Sequence, residues 1–137
     1  MGRVLAVDYG TKRVGLAVTD PLQIIANPLD TLPSNDAPEF IRNYCDKEQV
    51  DLLLVGEPKR MNNEASNVET QIQSFINRLF KILPKLKIER IDERFTSKMA
   101  FQAMIDGGMK KKDRQIKGNI DKISATIILQ TYLDRKK

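Results

Sequence analysis

The amino-terminal part of the chain reads Arg3-Val-Leu-Ala-Val-Asp-Tyr-Gly-Thr-Lys-Arg-Val-Gly-Leu-Ala-Val-Thr19. Each of its two apolar runs predicts a buried β-strand. Between the runs, residues 9–12 include the glycine and polar side chains that turns favour. The stretch therefore predicts a β-hairpin, with Asp8 at the end of the first strand.

Three further segments have strand character. Residues 24–32 contain Pro28, which predicts an edge strand. Residues 51–56 form a short apolar run that ends in glycine, as is typical of a central parallel strand, and residues 86–91 alternate apolar with charged side chains. The order predicts an α/β fold with a mixed five-stranded sheet, a three-strand meander followed by two parallel strands, flanked by helices.

Four helices are predicted. The first runs from Asp36 to about Glu48, with Phe40, Ile41 and Tyr44 on one face. The second ends at Pro84 and places these apolar residues at the helical period: Val68, Ile72, Phe75, Ile76, Leu79 and Phe80. The third is capped by Thr96 or Ser97 and runs to Asp106. The fourth is capped by Asn119 and has these residues on one face: Ile120, Ile123, Ile127 and Tyr132.

Composition limits the chemistry that the chain can perform. Its 137 residues, 41% of them hydrophobic, suffice for one domain, residues 1–137. The chain has no histidine and one cysteine. These counts exclude Ser-His-Asp and Cys-His catalysis, histidine-containing zinc sites and an internal disulfide. Any metal site must therefore rest on carboxylates, which select hard cations such as Mg²⁺ or Mn²⁺.

The positive charge of the chain is concentrated near its carboxyl terminus. Residues 1–100 carry 14 basic and 14 acidic side chains, whereas residues 101–137 carry 9 basic and 4 acidic ones. This bias favours a polyanionic partner such as nucleic acid, although a solvated lysine-rich tail has the same composition. A mobile, glycine-bounded loop is predicted at residues 109–118, and its cations are candidates for contacting a nucleic-acid backbone: Lys110, Lys111, Lys112, Arg114 and Lys117.

Localisation is expected to be cytoplasmic. No apolar run approaches the roughly 18 residues of a membrane helix, and Asp8 follows the first apolar run too early for a signal peptide. The single thiol, Cys45, fits a reducing compartment. Because no histidine is present to activate it, Cys45 is interpreted as a small apolar residue and not as a nucleophile.

Three carboxylates stand at the ends of predicted elements. Asp8 closes the first strand, Glu93 follows the last strand, and Asp121 lies in the first turn of the last helix. In open sheets with parallel strands, ligands bind at the carboxyl ends of the strands. Crowded acids repel one another unless a divalent cation is present, and two such ions can activate a water and stabilise the leaving oxygen of a phosphodiester. If the last helix packs back across the sheet, Asp121 comes near the other two acids, and the three would suit a metal-dependent phosphodiester hydrolase.

Each of these acids also has a simpler interpretation. Asp8 has the position of an ordinary turn residue, and Asp121 has a position at which the helix dipole favours an acid. Glu93 and its neighbour Asp92 would form a solvated corner of the surface. The residues alone leave both interpretations open.

Four motifs resemble those of the YqgF/RuvX family: Val-Asp8-Tyr-Gly-Thr-Lys, Val-Gly56-x-Pro, Asp-Glu93-Arg-Phe-Thr-Ser and Asp121-Lys-x-Ser-Ala-x-Ile-Ile-Leu-Gln. The resemblance extends from residue 3 to residue 133. Members of this family are pre-16S ribosomal RNA nucleases, also described as Holliday-junction-resolvase-like. The chain departs from the family after Gly56, where Glu-Pro-Lys-Arg replaces the usual Leu-Pro followed by Asp-Gly.

The resemblance implies a ribonuclease H-like fold and an activity in 5′ maturation of precursor 16S ribosomal RNA. It implies that Asp8, Glu93 and Asp121 are both the metal ligands for Mg²⁺ or Mn²⁺ and the catalytic residues. Lys12 and Arg94 each adjoin one of these acids, so either could hold a scissile phosphate or pair with the neighbouring carboxylate. The expected partner is precursor ribosomal RNA or branched DNA, with a possible ribosome or pre-ribosome contact.

Two other functions remain open at this point. The hairpin with Asp8 and Gly10 also resembles the phosphate-binding turn of the actin and sugar-kinase superfamily, although those proteins close two lobes around ATP and this chain has the length of one. A non-catalytic RNA-binding assembly factor would keep the basic segment but would have no need of three acids together.

Overall fold

Five strands form one sheet in the computed structural model, which describes residues 2–10, 12–57, 63–92 and 117–136. The strands are β1 (Arg3–Tyr9), β2 (Arg13–Thr19), β3 (Ala26–Pro33), β4 (Val50–Glu57) and β5 (Lys87–Asp92). The helices are α1 (Ala37–Lys47), α2 (Asn63–Ile82) and α3 (Lys117–Lys136), and a short 3-10 helix (Ser34–Asp36) precedes α1. The predicted α/β class is confirmed.

The strand order across the sheet is β3-β2-β1-β4-β5. Strand β1 pairs antiparallel with β2 and β2 pairs antiparallel with β3, whereas β4 runs parallel to β1 and β5 runs parallel to β4. This arrangement confirms the predicted meander followed by two parallel strands. Because β1, β4 and β5 run in the same direction, their carboxyl ends lie at the same edge of the sheet.

Both faces of the sheet are covered, which explains the continuous apolar run of β1. Leu5 and Val7 belong to the core that packs against α1 and α2, and Val4 and Ala6 belong to the core that packs against α3. Side chains alternate between the two faces of a strand. Asp8 therefore follows Val4 and Ala6 on the α3 face, and Tyr9 lies on the α1 and α2 face.

The predicted edge strand is confirmed. In β3, Pro28 pairs with Ala17 and Asp30 pairs with Leu16, so the register shifts by one residue between these two pairs. A bulge at the sheet edge is a position where proline is tolerated, since its missing N–H interrupts no continuous ladder.

The start of α3 differs from the prediction. The helix begins at Lys117 and not after Asn119, so the predicted loop ends before Lys117. Gly118 was expected to lie outside the helix, but one glycine near a helix end costs only about 1 kcal/mol relative to alanine. Residues 117–120 form the first turn of α3, which contains no acid, so Asp121 lies in the second turn.

The buried face of α3 also differs from the prediction. The residues buried against the sheet are Ser124, Ala125, Ile128, Leu129 and Leu133, whereas Ile123, Ile127 and Tyr132 are only half-buried. Small side chains at positions 124 and 125 let the helix approach the strands that it packs against, chiefly β1, β2 and β3. Since α3 has apolar residues on several sides, its pattern does not identify the buried side.

Helix α2 confirms most of its predicted face, with Ile72, Phe75, Ile76 and Leu79 in the core. The prediction that Phe80 belongs to this face is wrong, because its side chain is 48% exposed. The predicted helix that ends at Asp106 lies outside the described residues. None of the helices in the described part of the chain combines the length and the apolar character needed to cross a membrane.

Candidate active site

The β1–β2 hairpin positions Asp8 at the carboxyl edge of the sheet. Asp8 is half-buried and lies in register with Gly15 of β2. Beyond it, the N–H of Gly10 donates a hydrogen bond of 2.9 Å to the carbonyl oxygen of Arg13. A Cβ atom at position 10 would lie 2.7 Å from that oxygen, closer than real Cβ contacts. The turn that holds Asp8 therefore requires glycine at this position.

Strand β4 brings a second glycine to the side of Asp8. Val7 is in register with Val55, so Gly56 follows beside Asp8 at the carboxyl end of β4. Leu52 and Leu54 belong to the core under α3, and the alternation of the strand gives Gly56 the same face. Directly beside Asp8, the neighbouring strand therefore has a glycine and no side chain on this face.

The backbone position of Asp121 is on α3, and its side chain lies outside the described residues. Ala125 and Ile128 follow it by four and seven residues, and both are buried against the sheet. The helical period therefore places position 121 on the same stripe of α3. Because the helix dipole acts mainly within the first turn, it does not account for an acid in the second turn.

Strand β5 ends one residue before Glu93. Ile91 is buried in the core under α3, two residues before that acid. Glu93 and Arg94 lie outside the described residues, as do four of the predicted nucleic-acid contacts: Lys110, Lys111, Lys112 and Arg114. Lys117 begins α3, and Lys12 is exposed in the β1–β2 turn.

Of the three predicted metal ligands, only Asp8 has a described side chain. Within residues 2–10, 12–57, 63–92 and 117–136, the structure contains no group of three or more acidic, cysteine or histidine side chains that could hold a metal ion. The three-acid site therefore stays a prediction, with Asp8 and position 121 assigned to the same face of the sheet.

Sequence reasoning missed an arginine network at this edge. The Arg90 guanidinium donates to both carboxylate oxygens of Glu69, at 2.8 and 3.0 Å, and to the Gly56 carbonyl oxygen at 3.0 Å. Its Nε also donates to the Val55 carbonyl oxygen at 3.3 Å. Bidentate Arg–carboxylate pairs are strong and geometrically specific. Arg90 thereby joins β5, α2 and the carboxyl end of β4, next to Asp8.

Cys45 agrees with its structural interpretation. It lies in α1, half-buried against the core between the sheet and the helices α1 and α2. Burial raises the pKa of the Cys45 thiol, and the nearby charge of Asp46 raises it further. The reactive thiolate form is therefore disfavoured.

Curated relatives match the whole chain. A protein of Phocaeicola vulgatus named "Putative pre-16S rRNA nuclease" is 56% identical over 137 residues, which is 100% of this chain and 99% of the relative. A protein of Flavobacterium psychrophilum with the same name is 54% identical over 136 residues, which is 99% of each chain.

Solved structures share the fold at low identity. The RuvC protein of Thermus thermophilus, in complex with a Holliday junction substrate, superposes with a TM-score of 0.61 at 15% identity, covering 99% of this chain and 96% of RuvC. A second structure of Thermus thermophilus RuvC gives a TM-score of 0.59 at 13% identity, covering 98% of this chain and 95% of RuvC. The predicted ribonuclease H-like fold is confirmed.

The family assignment rests on a match over almost the full length. The model of the family described as "RuvX: Holliday junction resolvase" matches residues 2–135. With this match and full-length relatives at more than half identity, the chain belongs to the RuvX family.

Proposed function

We propose that the chain is a nuclease that hydrolyses phosphodiester bonds with Mg²⁺ or Mn²⁺, in the 5′ maturation of precursor 16S ribosomal RNA. One observation carries the proposal: Asp8 stands at the carboxyl end of the central strand, on the face that α3 covers, and position 121 lies on the covered stripe of α3. Glu93, the third acid of the proposed site, directly follows Asp92, the last residue of β5.

The three acids fit hard divalent cations. Asp8, Glu93 and Asp121 would offer carboxylate oxygens, the ligands that Mg²⁺ and Mn²⁺ prefer. When bound, two such ions supply an activated water and stabilise the leaving oxygen of the phosphodiester. With no histidine in the chain, these carboxylates are the groups that could serve this chemistry near neutral pH.

The basic residues complete the proposed site. Lys12, exposed in the turn that follows Asp8, and Arg94, next to Glu93, would hold the scissile phosphate. The sugar-phosphate backbone would be bound by a basic segment that ends at the start of α3: Lys110, Lys111, Lys112, Arg114 and Lys117. Such contacts provide affinity with little base specificity.

RNA is the substrate that we favour, because relatives at 56% and 54% identity carry an rRNA nuclease name. The second candidate is a branched DNA junction, which the family description favours. The proposal treats residues 1–137 as one catalytic domain that acts in the cytoplasm on a pre-ribosomal particle. Residues 2–135, matched by one family model, support that boundary.

One assay separates these alternatives. The purified protein is incubated with precursor 16S ribosomal RNA and, in parallel, with a four-way DNA junction, each with Mn²⁺ and with EDTA. The expected result is Mn²⁺-dependent cleavage of the RNA. Preferential cleavage of the junction would move the assignment to DNA. Binding of the RNA without cleavage of either substrate would contradict the proposal and favour an assembly factor.

A further inference from the structure

A cleft of about 230 Å³ opens on the α1 and α2 face, opposite the face to which Asp8 belongs. Its lining includes Tyr9, Asn35, Gln71, Ser74, Phe75 and Arg78. They come from β1, from the 3-10 helix before α1 and from α2, so the cleft forms only when these elements pack together. Neither the proposed metal site nor the proposed basic segment uses any of them.

The cleft begins one residue from the proposed catalytic acid. Tyr9 directly follows Asp8, and the alternation of β1 directs the two side chains to opposite faces of the sheet edge. The Tyr9 ring packs on Phe75 with a centroid distance of 5.1 Å and an angle of 43°.

The lining of the cleft suits a nucleotide. Tyr9 supplies an aromatic ring of the kind on which bases stack, and Asn35 and Gln71 supply amide donors and acceptors for a base edge. Arg78 supplies a guanidinium of the kind that binds phosphate. No carboxylate lines the cleft among the described residues, and in that part of the chain Arg78 makes no ion pair.

The size of the cleft limits the ligand. Sites for drug-sized ligands usually enclose about 300 to 1,000 Å³, so a cleft of about 230 Å³ suits a smaller group such as one base with its sugar. We propose that the cleft binds one nucleotide of the single-stranded RNA that flanks the cleavage point, with its base against Tyr9 and a phosphate on Arg78. This inference rests on the proposed nuclease function.

The test uses two variants that leave the core unchanged. Arg78→Gln removes the phosphate contact, and Ser74→Trp fills the cleft from an exposed position of α2. The matched control is Arg42→Gln, which removes an exposed arginine of α1 that does not line the cleft. Thermal melts of the three proteins test whether each of them folds.

Two readouts are measured for each protein: the Kd of a fluorescein-labelled single-stranded RNA in EDTA, and the KM and kcat of cleavage in Mn²⁺. Both cleft variants are expected to raise Kd and KM about 5- to 10-fold while kcat stays unchanged, as expected for loss of one stacked base or one phosphate contact. Arg78→Gln should also flatten the plot of log K against log salt by about 0.7, the contribution of one phosphate contact to a single strand.

The outcomes separate the cleft from the nuclease activity. If wild-type protein cleaves RNA and the Kd values of Arg78→Gln and Ser74→Trp equal that of Arg42→Gln, the cleft proposal is overturned and the nuclease proposal stands. If wild-type protein cleaves nothing while the two cleft variants alone lose affinity, the nuclease proposal fails and RNA binding in the cleft stands.

Discussion

The two ends of β1 use their polar groups differently. At the amino end, the Gly2 N–H donates to Asp51 Oδ2 at 2.7 Å, and the Gly2 carbonyl accepts a hydrogen bond of 2.7 Å from Gln23. Arg3 donates to the Thr19 carbonyl oxygen at 2.9 Å. At the carboxyl end, Asp8 belongs to the proposed metal site and Tyr9 lines the cleft on the opposite face.

This contrast separates stability from function along a single strand. Polar groups at the amino end satisfy backbone donors and acceptors of the protein itself, which are costly to leave unpaired. Side chains at the carboxyl end occupy the edge where parallel strands present ligand sites. Substitutions at the amino end should therefore change melting temperature, and those at the carboxyl end should change activity.

The strongest test of this contrast replaces one aspartate by asparagine near each end of β1. Asp8→Asn is expected to lower kcat at least about a thousandfold, because loss of an essential catalytic group has effects of that size. In EDTA its melting temperature should equal or exceed that of the wild type, since the substitution removes one of the like charges. Cleavage assays and thermal melts provide the two measurements.

Asp51→Asn is the matched control at the amino end. It weakens the hydrogen bond from the Gly2 N–H and should lower the melting temperature while kcat per folded molecule stays unchanged. Full Mn²⁺-dependent cleavage by the Asp8→Asn protein would show that Asp8 is not a catalytic residue.

The second prediction concerns metal binding at the carboxyl end. An ion that binds only the folded protein stabilises it by about 2.7 kcal/mol at a hundredfold excess over Kd. Mn²⁺ should therefore raise the melting temperature of the wild type and raise that of Asp121→Asn much less. Differential scanning fluorimetry across a Mn²⁺ series measures both shifts. Equal shifts in the two proteins would show that the ion binds away from Asp121.

The third prediction compares two arginines, one near each end of β1. Arg90→Met removes the two hydrogen bonds to Glu69 and the two to the carbonyl oxygens of Val55 and Gly56, and we expect a loss of about 1–3 kcal/mol in the free energy of unfolding. Because Arg90 holds Val55 and Gly56 beside Asp8, kcat should fall as well. Urea unfolding and cleavage assays measure the two effects.

Arg3→Met provides the comparison at the amino end. Arg3 donates to Glu48 at 3.4 Å and to the Thr19 carbonyl oxygen, so its loss should destabilise the protein without lowering kcat. Arg90→Lys should restore part of the stability but not the forked geometry. If Arg90→Met and Arg3→Met left kcat equally unchanged, Arg90 would have a purely structural role.

The strands and the position of Asp8 could be predicted because local pattern determines them. Apolar runs with turn residues between them define β1 and β2, and the polar residue that closes a buried run is apparent in the sequence. The buried side of α3 could not be predicted in this way. Ile123 and Ile127 are as apolar as Ile128, and only close packing on the sheet selects the side with Ser124 and Ala125.

The Arg90 network and the cleft depend on contacts between distant segments. In β5, side-chain alternation places Arg90 on the same face as Ile88, but nothing in residues 87–91 identifies its partner Glu69, which lies 21 residues away on α2. The cleft draws on three separate elements. Neither feature has a local sequence signal, because each arises only after the helices pack on the sheet.

The smallest expected effect is the pH dependence of stability at the amino end. Asp20 follows β2, and its carboxylate accepts hydrogen bonds from the backbone N–H groups of Ile25 at 2.8 Å, Ile24 at 2.9 Å and Leu22 at 3.1 Å. These bonds, that of Ile25 foremost, lower the pKa of Asp20 from its ordinary value of 3.8, and the Gly2 N–H lowers the pKa of Asp51 in the same way.

A carboxyl whose pKa is lower in the folded protein stabilises the fold at pH values above its unfolded pKa, and this contribution is lost as the pH falls through the folded pKa. The melting temperature of the wild type should therefore fall as the pH is lowered from about 5 to about 3. In Asp20→Asn/Asp51→Asn it should start lower and change less over the same range, whereas the exposed control Asp46→Asn should follow the wild type. Thermal melts in a single buffer series measure the three curves. Parallel curves for the double variant and the wild type would show that these two carboxylates do not stabilise the amino end.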